Sequence, residues 1–266
     1  MRIAFAIMIA FFIVLFSTPA FIRVANLKHL FDDPNETRKL HKKSIPSMGG
    51  IMIFAGTLFS FLISMPSANI GYIQYLIPGV LVMFFIGIKD DIIGTAAVKK
   101  LIGHLLVAFI MTFMADIRIT SLYGIFDIRE IPEWASIALT IFTYVVVINS
   151  FNIIDGVDGL AGGVGFIAAS AFGVWFLVVG SIVDAVIAFS LAGALLGFLR
   201  YNFYPAKIFM GDSGSLTVGL IICVLAIRVI EYDFSSLPES LKFISKPIFV
   251  MAVLSYPLLD TLRIFI

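Results

Sequence analysis

Long runs of uncharged residues dominate this sequence and limit what the chain can fold into. Several runs reach about 16 to 20 residues, the length at which an α-helix crosses the roughly 30 Å hydrocarbon core of a bilayer. Hydrophobic residues make up 61% of the 266 positions and charged residues 13%, whereas soluble domains carry about a quarter charged residues. A membrane β-barrel would instead show short segments of alternating hydrophobicity. The sequence therefore predicts an all-α, polytopic integral membrane protein.

Charged residues between the runs indicate the number and direction of the helices. We predict one bundle of about nine transmembrane helices, at residues 3–22, 48–66, 72–88, 101–115, 134–149, 161–180, 182–199, 214–231 and 247–265. Twelve of the eighteen Lys and Arg residues fall in loops that follow odd-numbered helices or near the C-terminal end. The positive-inside rule assigns that side to the cytoplasm, which puts the N-terminus outside. We expect a multi-pass protein of the inner, cytoplasmic membrane.

Net charge, cysteine content and charge placement argue against several classes of function. A net charge of +1 provides no field of one sign to attract nucleic acid. The lone cysteine, Cys223, lies in an apolar run, so a disulfide framework or thiolate metal cluster cannot form within one chain. Gly193 and Gly197 are typical of close helix packing in lipid. A secondary transporter is the competing class, but it would carry charged residues in mid-span, where this chain has almost none.

Carboxylates gather at the predicted cytoplasmic ends of the helices. Asp90 and Asp91 follow the third span, and Asp212 precedes the eighth. Adjacent carboxylates repel each other unless a cation binds there, and hard oxygen ligands suit Mg²⁺ or Mn²⁺. Two solvated loop acids are the structural alternative. A position at the membrane boundary also avoids the cost of about 2.5–3.5 kcal/mol for a charge at the bilayer centre. We therefore predict an active site at the interface, open to water and to lipid.

The segment after the fifth span spaces four oxygen-bearing side chains three residues apart. They are Asn149, Asn152, Asp155 and Asp158, which a helical turn would present on roughly one face. Each Asp-Gly step also favours a turn whose backbone amides could approach a phosphate. We expect these four side chains to converge on one site.

Two further segments have features of anion sites. Asp212 stands between glycines just before a helix, where free amides and the positive dipole end meet a carboxylate or a bound anion. A plain N-cap by Asp212 or Ser213 is the alternative. Lys39 and His41 precede the turn 46–50, which leads directly into a helix and would suit phosphate. These cations could instead bind anionic lipid headgroups, at about 1 kcal/mol per cation.

Four motifs in this order resemble a known family, the polyprenyl-phosphate N-acetylhexosamine-1-phosphate transferases, whose relatives include the phospho-N-acetylmuramoyl-pentapeptide transferases. The motifs are Arg38-Lys-Leu-His41 with the turn up to Gly50, Asp90-Asp91 with Lys100, residues 149–161, and residues 209–215. Family members continue past the position of Ile266 into a His-rich cytoplasmic segment and another helix. The resemblance therefore implies that residues 1–266 form one membrane-embedded domain that is truncated at its C-terminal end.

The resemblance implies transfer of an N-acetylhexosamine 1-phosphate from a UDP-sugar to undecaprenyl phosphate, releasing UMP and starting a lipid-linked glycan of the cell envelope. The motif details favour N-acetylglucosamine 1-phosphate as the transferred group. Transfer of phospho-N-acetylmuramoyl-pentapeptide in peptidoglycan synthesis is the close alternative. Mg²⁺ is the implied cofactor, with Mn²⁺ as a substitute, and a homodimer is left open.

Matching positions imply roles for individual residues. Asp90 would deprotonate or position the lipid phosphate, Asp91 would support the metal, and Asn152 and Asp212 would be metal ligands. A covalent route with Asp212 or Asp90 as nucleophile also stays open. The positions matched to substrate binding are Lys39, His41, Lys100, Asn149, Asp155 and Asp158. For Asp155 and Asp158 the resemblance also leaves open that they hold the loop geometry.

Overall fold

The computed structural model describes residues 1–28, 45–66 and 71–265 of the chain. Within these ranges the chain forms ten α-helices and no strand beyond an isolated bridge between Ser121 and Glu130. The helices are α1 (Arg2–Lys28), α2 (Gly50–Ser64), α3 (Ile73–Ile93), α4 (Ala97–Phe109), α5 (Glu133–Ile153), α6 (Leu160–Val178), α7 (Ile182–Asn202), α8 (Gly211–Ile230), α9 (Lys246–Val253) and α10 (Ser255–Phe265). The predicted all-α fold is confirmed.

Length and composition indicate which helices can cross a membrane. Six in the described ranges are long and apolar enough: Arg2–Leu27, Ala97–Met114, Glu133–Gly156, Leu160–Val178, Ile182–Asn202 and Gly211–Ile230. The chain is therefore a multi-pass membrane protein. Helix α2, with 15 residues, is apolar but shorter. The count of nine spans and the outside position of the N-terminus stay predictions.

The last predicted span, 247–265, is broken in the structure. Helices α9 and α10 meet at an angle of 61° and together would make a seventh span. Pro257 explains the break, because proline has no N–H to bond the carbonyl of Val253 and its ring clashes there. The sequence reasoning passed over this proline.

Helix α8 lies at the centre of the bundle. Its residues from Ser213 to Val229, apart from Arg228, are buried. A helix that is apolar on every side is stable only when other helices surround it, and α2, α3, α5 and α6 pack against this one. Asp212, in the first turn of α8, is thereby held relative to four other helices.

Small residues bring α1 and α7 into close contact, as the sequence predicted. A Cβ atom on Gly193 would lie 2.4 Å from the carbonyl oxygen of Ile7, and one on Gly197 would lie 2.7 Å from that of Phe11. Backbones this close gain dispersion contacts, which drive helix association in lipid.

The loops collect at two opposite ends of the bundle. Residues 45–49, 94–96, 154–159 and 203–210 lie at one end, here called the acidic end. Residues 71–72, 115–132, 180–181 and 231–245 lie at the other, the hairpin end. This division agrees with the alternation of helix direction used to predict the two sides of the membrane.

An ion pair between a buried carboxylate and a partly exposed guanidinium joins three helices at the hairpin end. The Asp184 carboxylate is fully buried and accepts hydrogen bonds from Arg228 Nε at 2.6 Å and Nη2 at 2.7 Å. The Tyr72 hydroxyl donates to the same carboxylate, and its ring lies 4.2 Å below the Arg228 guanidinium. These contacts connect the starts of α3 and α7 to the end of α8, and the sequence analysis did not anticipate them.

Candidate active site

Glycines allow the start of α8 to touch the backbones of α2 and α3. A Cβ atom on Gly50 would lie 2.0 Å from the nitrogen of Gly214, and one on Gly87 would lie 2.4 Å from Cα of Ser213. Any side chain at these two glycines would push the helices apart. The first turn of α8 is therefore seated directly against two neighbouring helices.

The turn at residues 46–50 is paired with the segment that precedes α8. Phe209 N–H donates to the Pro46 carbonyl at 2.8 Å, Gly49 N–H donates to the Phe209 carbonyl at 2.9 Å, and Gly50 N–H donates to the Met210 carbonyl at 2.7 Å. The sequence suggested that amides of this turn were free for phosphate. The structure corrects this, because the amides of Gly49 and Gly50 bond the chain itself.

Carboxylates of the protein also occupy the first amides of α8. Gly211 N–H donates to Asp155 Oδ2 at 2.9 Å. Asp212 N–H donates to Asp91 Oδ1 at 2.7 Å, and Ser213 N–H donates to Asp91 Oδ2 at 3.1 Å. Carboxylates do bond these amides, as predicted, but they belong to α3 and to the turn 154–156. None of the three amides is left for a bound anion.

Four side chains from four helices form the acidic cluster: Asp90, Lys100, Asn152 and Asp212. Lys100 Nζ donates to Asp90 Oδ2 at 3.2 Å and also to Asp212 Oδ2. Asn152 Nδ2 donates to Asp212 Oδ1 at 2.8 Å and to Ser215 Oγ at 2.9 Å. Lys100, Asp90 and Asp212 are partly buried, with about a fifth of each side chain exposed. An ammonium therefore lies between two carboxylates at a surface that water can reach.

The four side chains spaced by three converge only in part. Asn152 and Asp155 meet at the start of α8, whereas Asn149 and Asp158 have other partners. Asn152 reaches Asp212, whereas Asn149 Nδ2 lies 3.2 Å from His104 Nδ1 on α4. Asp155 bonds the Gly211 amide, and Asp158 accepts a hydrogen bond from the Ala206 amide at 3.0 Å. Helix α5 ends at residue 153 and a 3-10 turn follows at residues 154–156, so Asp158 lies outside the helical spacing.

Sequence reasoning gave no role to two residues that hydrogen-bond segments of the site. Asn202 Oδ1 accepts from the Gly159 amide at 3.1 Å, and its Nδ2 donates to the Ile208 carbonyl at 2.9 Å. Ser215 Oγ accepts from Asn152 inside the core. An asparagine that ends a long apolar helix was the available signal for Asn202. The predicted substrate residues Lys39 and His41 lie outside the described residues.

The donor set of the acidic cluster fits a magnesium ion bound together with substrate. Asp90 and Asp212 offer hard carboxylate oxygens, and Asn152 has an amide oxygen beside them. In the described residues, no group of three or more His, Cys, Asp and Glu side chains is arranged to hold a metal. Mg²⁺ commonly binds through one or two carboxylates plus substrate phosphates, so such a group is not required.

Comparison with known proteins gives consistent matches. Residues 73–230 match the family profile described as glycosyl transferase family 4, a range that contains the whole acidic cluster. A phospho-N-acetylmuramoyl-pentapeptide-transferase of Thermoanaerobacter sp. (strain X514) is 32% identical over 283 residues, covering 96% of this chain and 89% of the relative.

Two other relatives are longer than the matched region. A probable undecaprenyl-phosphate N-acetylglucosaminyl 1-phosphate transferase of Bacillus subtilis (strain 168) is 34% identical, covering 85% of this chain and 63% of the relative. A decaprenyl-phosphate N-acetylglucosaminephosphotransferase of Mycolicibacterium smegmatis is 34% identical, covering 85% of this chain and 60% of the relative. From the profile match and the relative aligned over nearly its full length, the chain belongs to glycosyl transferase family 4.

Proposed function

We propose that this chain transfers N-acetylglucosamine 1-phosphate from a UDP-sugar to undecaprenyl phosphate, releasing UMP and starting a lipid-linked glycan of the cell envelope. The observation that carries the proposal is the acidic cluster, in which Lys100 lies between Asp90 and Asp212 at one end of a membrane bundle. The names of the Bacillus and Mycolicibacterium relatives support the donor sugar and the polyprenyl acceptor.

The reaction joins two anions, which explains the residues of the cluster. A bond forms between an oxygen of the lipid phosphate and the sugar-linked phosphorus, while the bond from that phosphorus to UMP breaks. Lys100 would exchange a carboxylate partner for a phosphate oxygen and offset its charge. Asp90 would accept or orient the proton of the lipid phosphate. Asp212 and Asn152 would hold Mg²⁺ together with substrate phosphates, and the ion would neutralise phosphoryl oxygens.

An apolar groove supports a lipid acceptor. It has a volume of about 650 Å³ and lies between α5, the end of α8, and the bent pair α9 and α10, with side chains such as Phe142, Val250 and Leu258 on its walls. Helix α10 packs against α5 and against the turn 154–156, next to the acidic cluster. The groove runs from residues 119–125 at the hairpin end along α5 and α10, so a polyprenyl chain would lie in it along these two helices.

The proposal places the acidic end at the cytoplasmic face, with nine crossings and the N-terminus outside. Twelve of the eighteen Lys and Arg residues support that orientation through the positive-inside rule. A nucleotide sugar would then reach the cluster from the cytosol, while the acceptor would diffuse in from the membrane.

Transfer of phospho-N-acetylmuramoyl-pentapeptide is the second candidate, and a specific observation favours it. The Thermoanaerobacter relative with that name aligns along 96% of this chain and 89% of its own length, whereas the two N-acetylglucosamine relatives align over 63% and 60% of theirs. The acidic cluster would serve either donor, because the phosphate chemistry is the same.

The test is a donor comparison with membranes that contain the chain. Undecaprenyl phosphate and Mg²⁺ are supplied with UDP-N-acetylglucosamine or with UDP-N-acetylmuramoyl-pentapeptide, and UMP release and lipid labelling are measured. Turnover with the first donor supports the proposal, and turnover with only the second establishes the alternative. Membranes with Asp212→Asn are the matched control. Folded protein that is silent with both donors would overturn both candidates.

A further inference from the structure

The first three amides of α8 are held by two carboxylates that come from other parts of the chain. A helix leaves its first N–H groups without partners inside the helix, and a side chain at the N-cap usually supplies one. The residue at that position of α8 is Met210, which makes no side-chain cap hydrogen bond. Asp155 and Asp91, which are distant in sequence, cap the helix instead. They accept hydrogen bonds from the amides of Gly211, Asp212 and Ser213.

Asp91 and Asp90 are neighbours in sequence but have different partners. Successive residues of a helix are rotated by about 100° from each other, so adjacent side chains leave the helix in different directions. Asp90 meets Lys100, while both oxygens of Asp91 accept hydrogen bonds from backbone amides at the positive end of α8. The partial positive charge at the N-terminus of α8 also attracts the Asp91 carboxylate, in addition to these hydrogen bonds.

The close packing around α8 explains why the cap comes from outside the helix. Gly211 adopts a left-handed backbone with φ of 71°, and a Cβ atom there would lie 1.7 Å from the Ser47 carbonyl oxygen. The same hypothetical atom would lie 2.8 Å from Asp91 Oδ1. Space at this turn is thus filled by backbone and by the carboxylate, so the orientation of the following residue, Asp212, depends on both acids.

We propose that Asp91 and Asp155 are positioning residues that aim the Asp212 side chain at Lys100, and that neither binds the metal or a substrate. For Asp91 this differs from the metal role that the family resemblance implies, whereas for Asp155 it agrees with one of the two implied roles, holding the loop geometry. The kinetic part of the proposal rests on the proposed function, whereas the structural part does not.

The kinetic test compares asparagine with alanine at position 91. Asparagine keeps one acceptor oxygen for these amides and loses the second, because its NH2 group cannot accept a hydrogen bond. It can serve neither as a base nor as an anionic metal ligand. We expect Asp91→Asn to retain activity within about tenfold of the wild type and Asp91→Ala to lose about a hundredfold or more. KM for both substrates and the half-saturating Mg²⁺ concentration should stay within about twofold in Asp91→Asn. An inactive Asp91→Asn, or a strongly raised Mg²⁺ requirement, would overturn the positioning role.

A second measurement decides the question without turnover. Hydrogen exchange is followed by mass spectrometry on peptides that cover residues 209–216 in protein reconstituted in nanodiscs. Asp91→Ala should raise exchange about tenfold or more at two amides and Asp155→Ala at one, because those hydrogen bonds are lost. Asp90→Asn is the matched control and should leave this exchange unchanged. Unchanged exchange in Asp91→Ala would refute the inference even if the enzyme is active, and changed exchange in a protein without transferase activity would refute only the proposed function.

Discussion

Lys100 is the residue on which the charge balance of the acidic cluster depends. It bonds Asp90 and Asp212, which come from α3 and α8. Without an ammonium or a metal ion between them, these carboxylates would repel each other in a partly buried position. The same ammonium would offset the charge of a phosphate, so one side chain balances the two carboxylates and would also balance a bound anion.

Removing this charge should suppress turnover. We expect Lys100→Met to lower kcat about a hundredfold to a thousandfold, in line with the loss of a charge-stabilising donor in other enzymes. Lys100→Arg is the matched variant, which keeps the charge but changes the geometry of the donors. UMP release under saturating donor gives kcat. A Lys100→Met protein that turns over at the wild-type rate would remove Lys100 from the mechanism.

Asp212 makes a separate prediction at the same scale. Asp212→Asn keeps the size of the side chain but loses its charge, so it can neither balance Lys100 nor serve as an anionic metal ligand. We expect a fall in kcat of at least about a hundredfold with membrane insertion intact. Near-normal turnover in this variant would contradict its assignment to the site.

At the scale of elements, backbone contact between helices sets the position of the site. Gly87 of α3 and Gly50 of α2 both face the first turn of α8, with no room for a side chain. The glycines therefore act by their small size. The cost of enlarging one of them measures how rigidly the first turn of α8 is held.

Gly87→Val should destabilise the protein by about 1–3 kcal/mol through overpacking and should also lower activity. The matched control is Gly163→Ala in α6, where an added Cβ meets no atom within 4 Å. That change should be neutral or stabilising by up to about 1 kcal/mol, because alanine favours a helix over glycine. Thermal unfolding in detergent measures the stability of both variants. Equal unfolding temperatures would show that Gly87 is not in tight contact with the first turn of α8.

At the scale of the whole molecule, the two ends of the bundle have different roles. The acidic end carries the candidate chemistry, while the hairpin end carries the ion pair between Asp184 and Arg228 that connects α7 to α8. Helix α8 connects them, since Asp212 begins it and Arg228 is near its end. A defect at the hairpin end should therefore appear in stability more than in substrate binding.

Breaking this ion pair should be costly. Asp184→Ala removes the acceptor of the Arg228 guanidinium and of the Tyr72 hydroxyl and should lower stability by about 1–3 kcal/mol, while KM of the remaining folded protein is unchanged. Glu239→Ala is the control, because its pair with Lys242 is exposed and should contribute at most about 1 kcal/mol. Thermal unfolding of the two variants is measured in parallel. An equal loss of stability in both would refute the distinction between the two ion pairs.

Orientation in the membrane gives a prediction for the entire chain. Cys223 is fully buried, so it provides little background for thiol labelling. Lys207→Cys lies at the acidic end and should react with a membrane-impermeant reagent only after cells are opened, whereas Asp233→Cys at the hairpin end should react from outside. The reverse pattern would overturn the predicted topology.

The sequence by itself determined the helical membrane fold and the gathering of Asp90, Lys100, Asn152 and Asp212 at one end. The length of hydrophobic runs and the placement of charges are local properties, so both can be read from the sequence without knowing how the helices pack. Only the tertiary structure decided which partner each polar group takes. Asp91 bonds amides 121 and 122 residues away, and Asp155 bonds one 56 residues away. Such partners are chosen by how closely glycine-lined backbones approach across the bundle, and no spacing within a single segment encodes that distance.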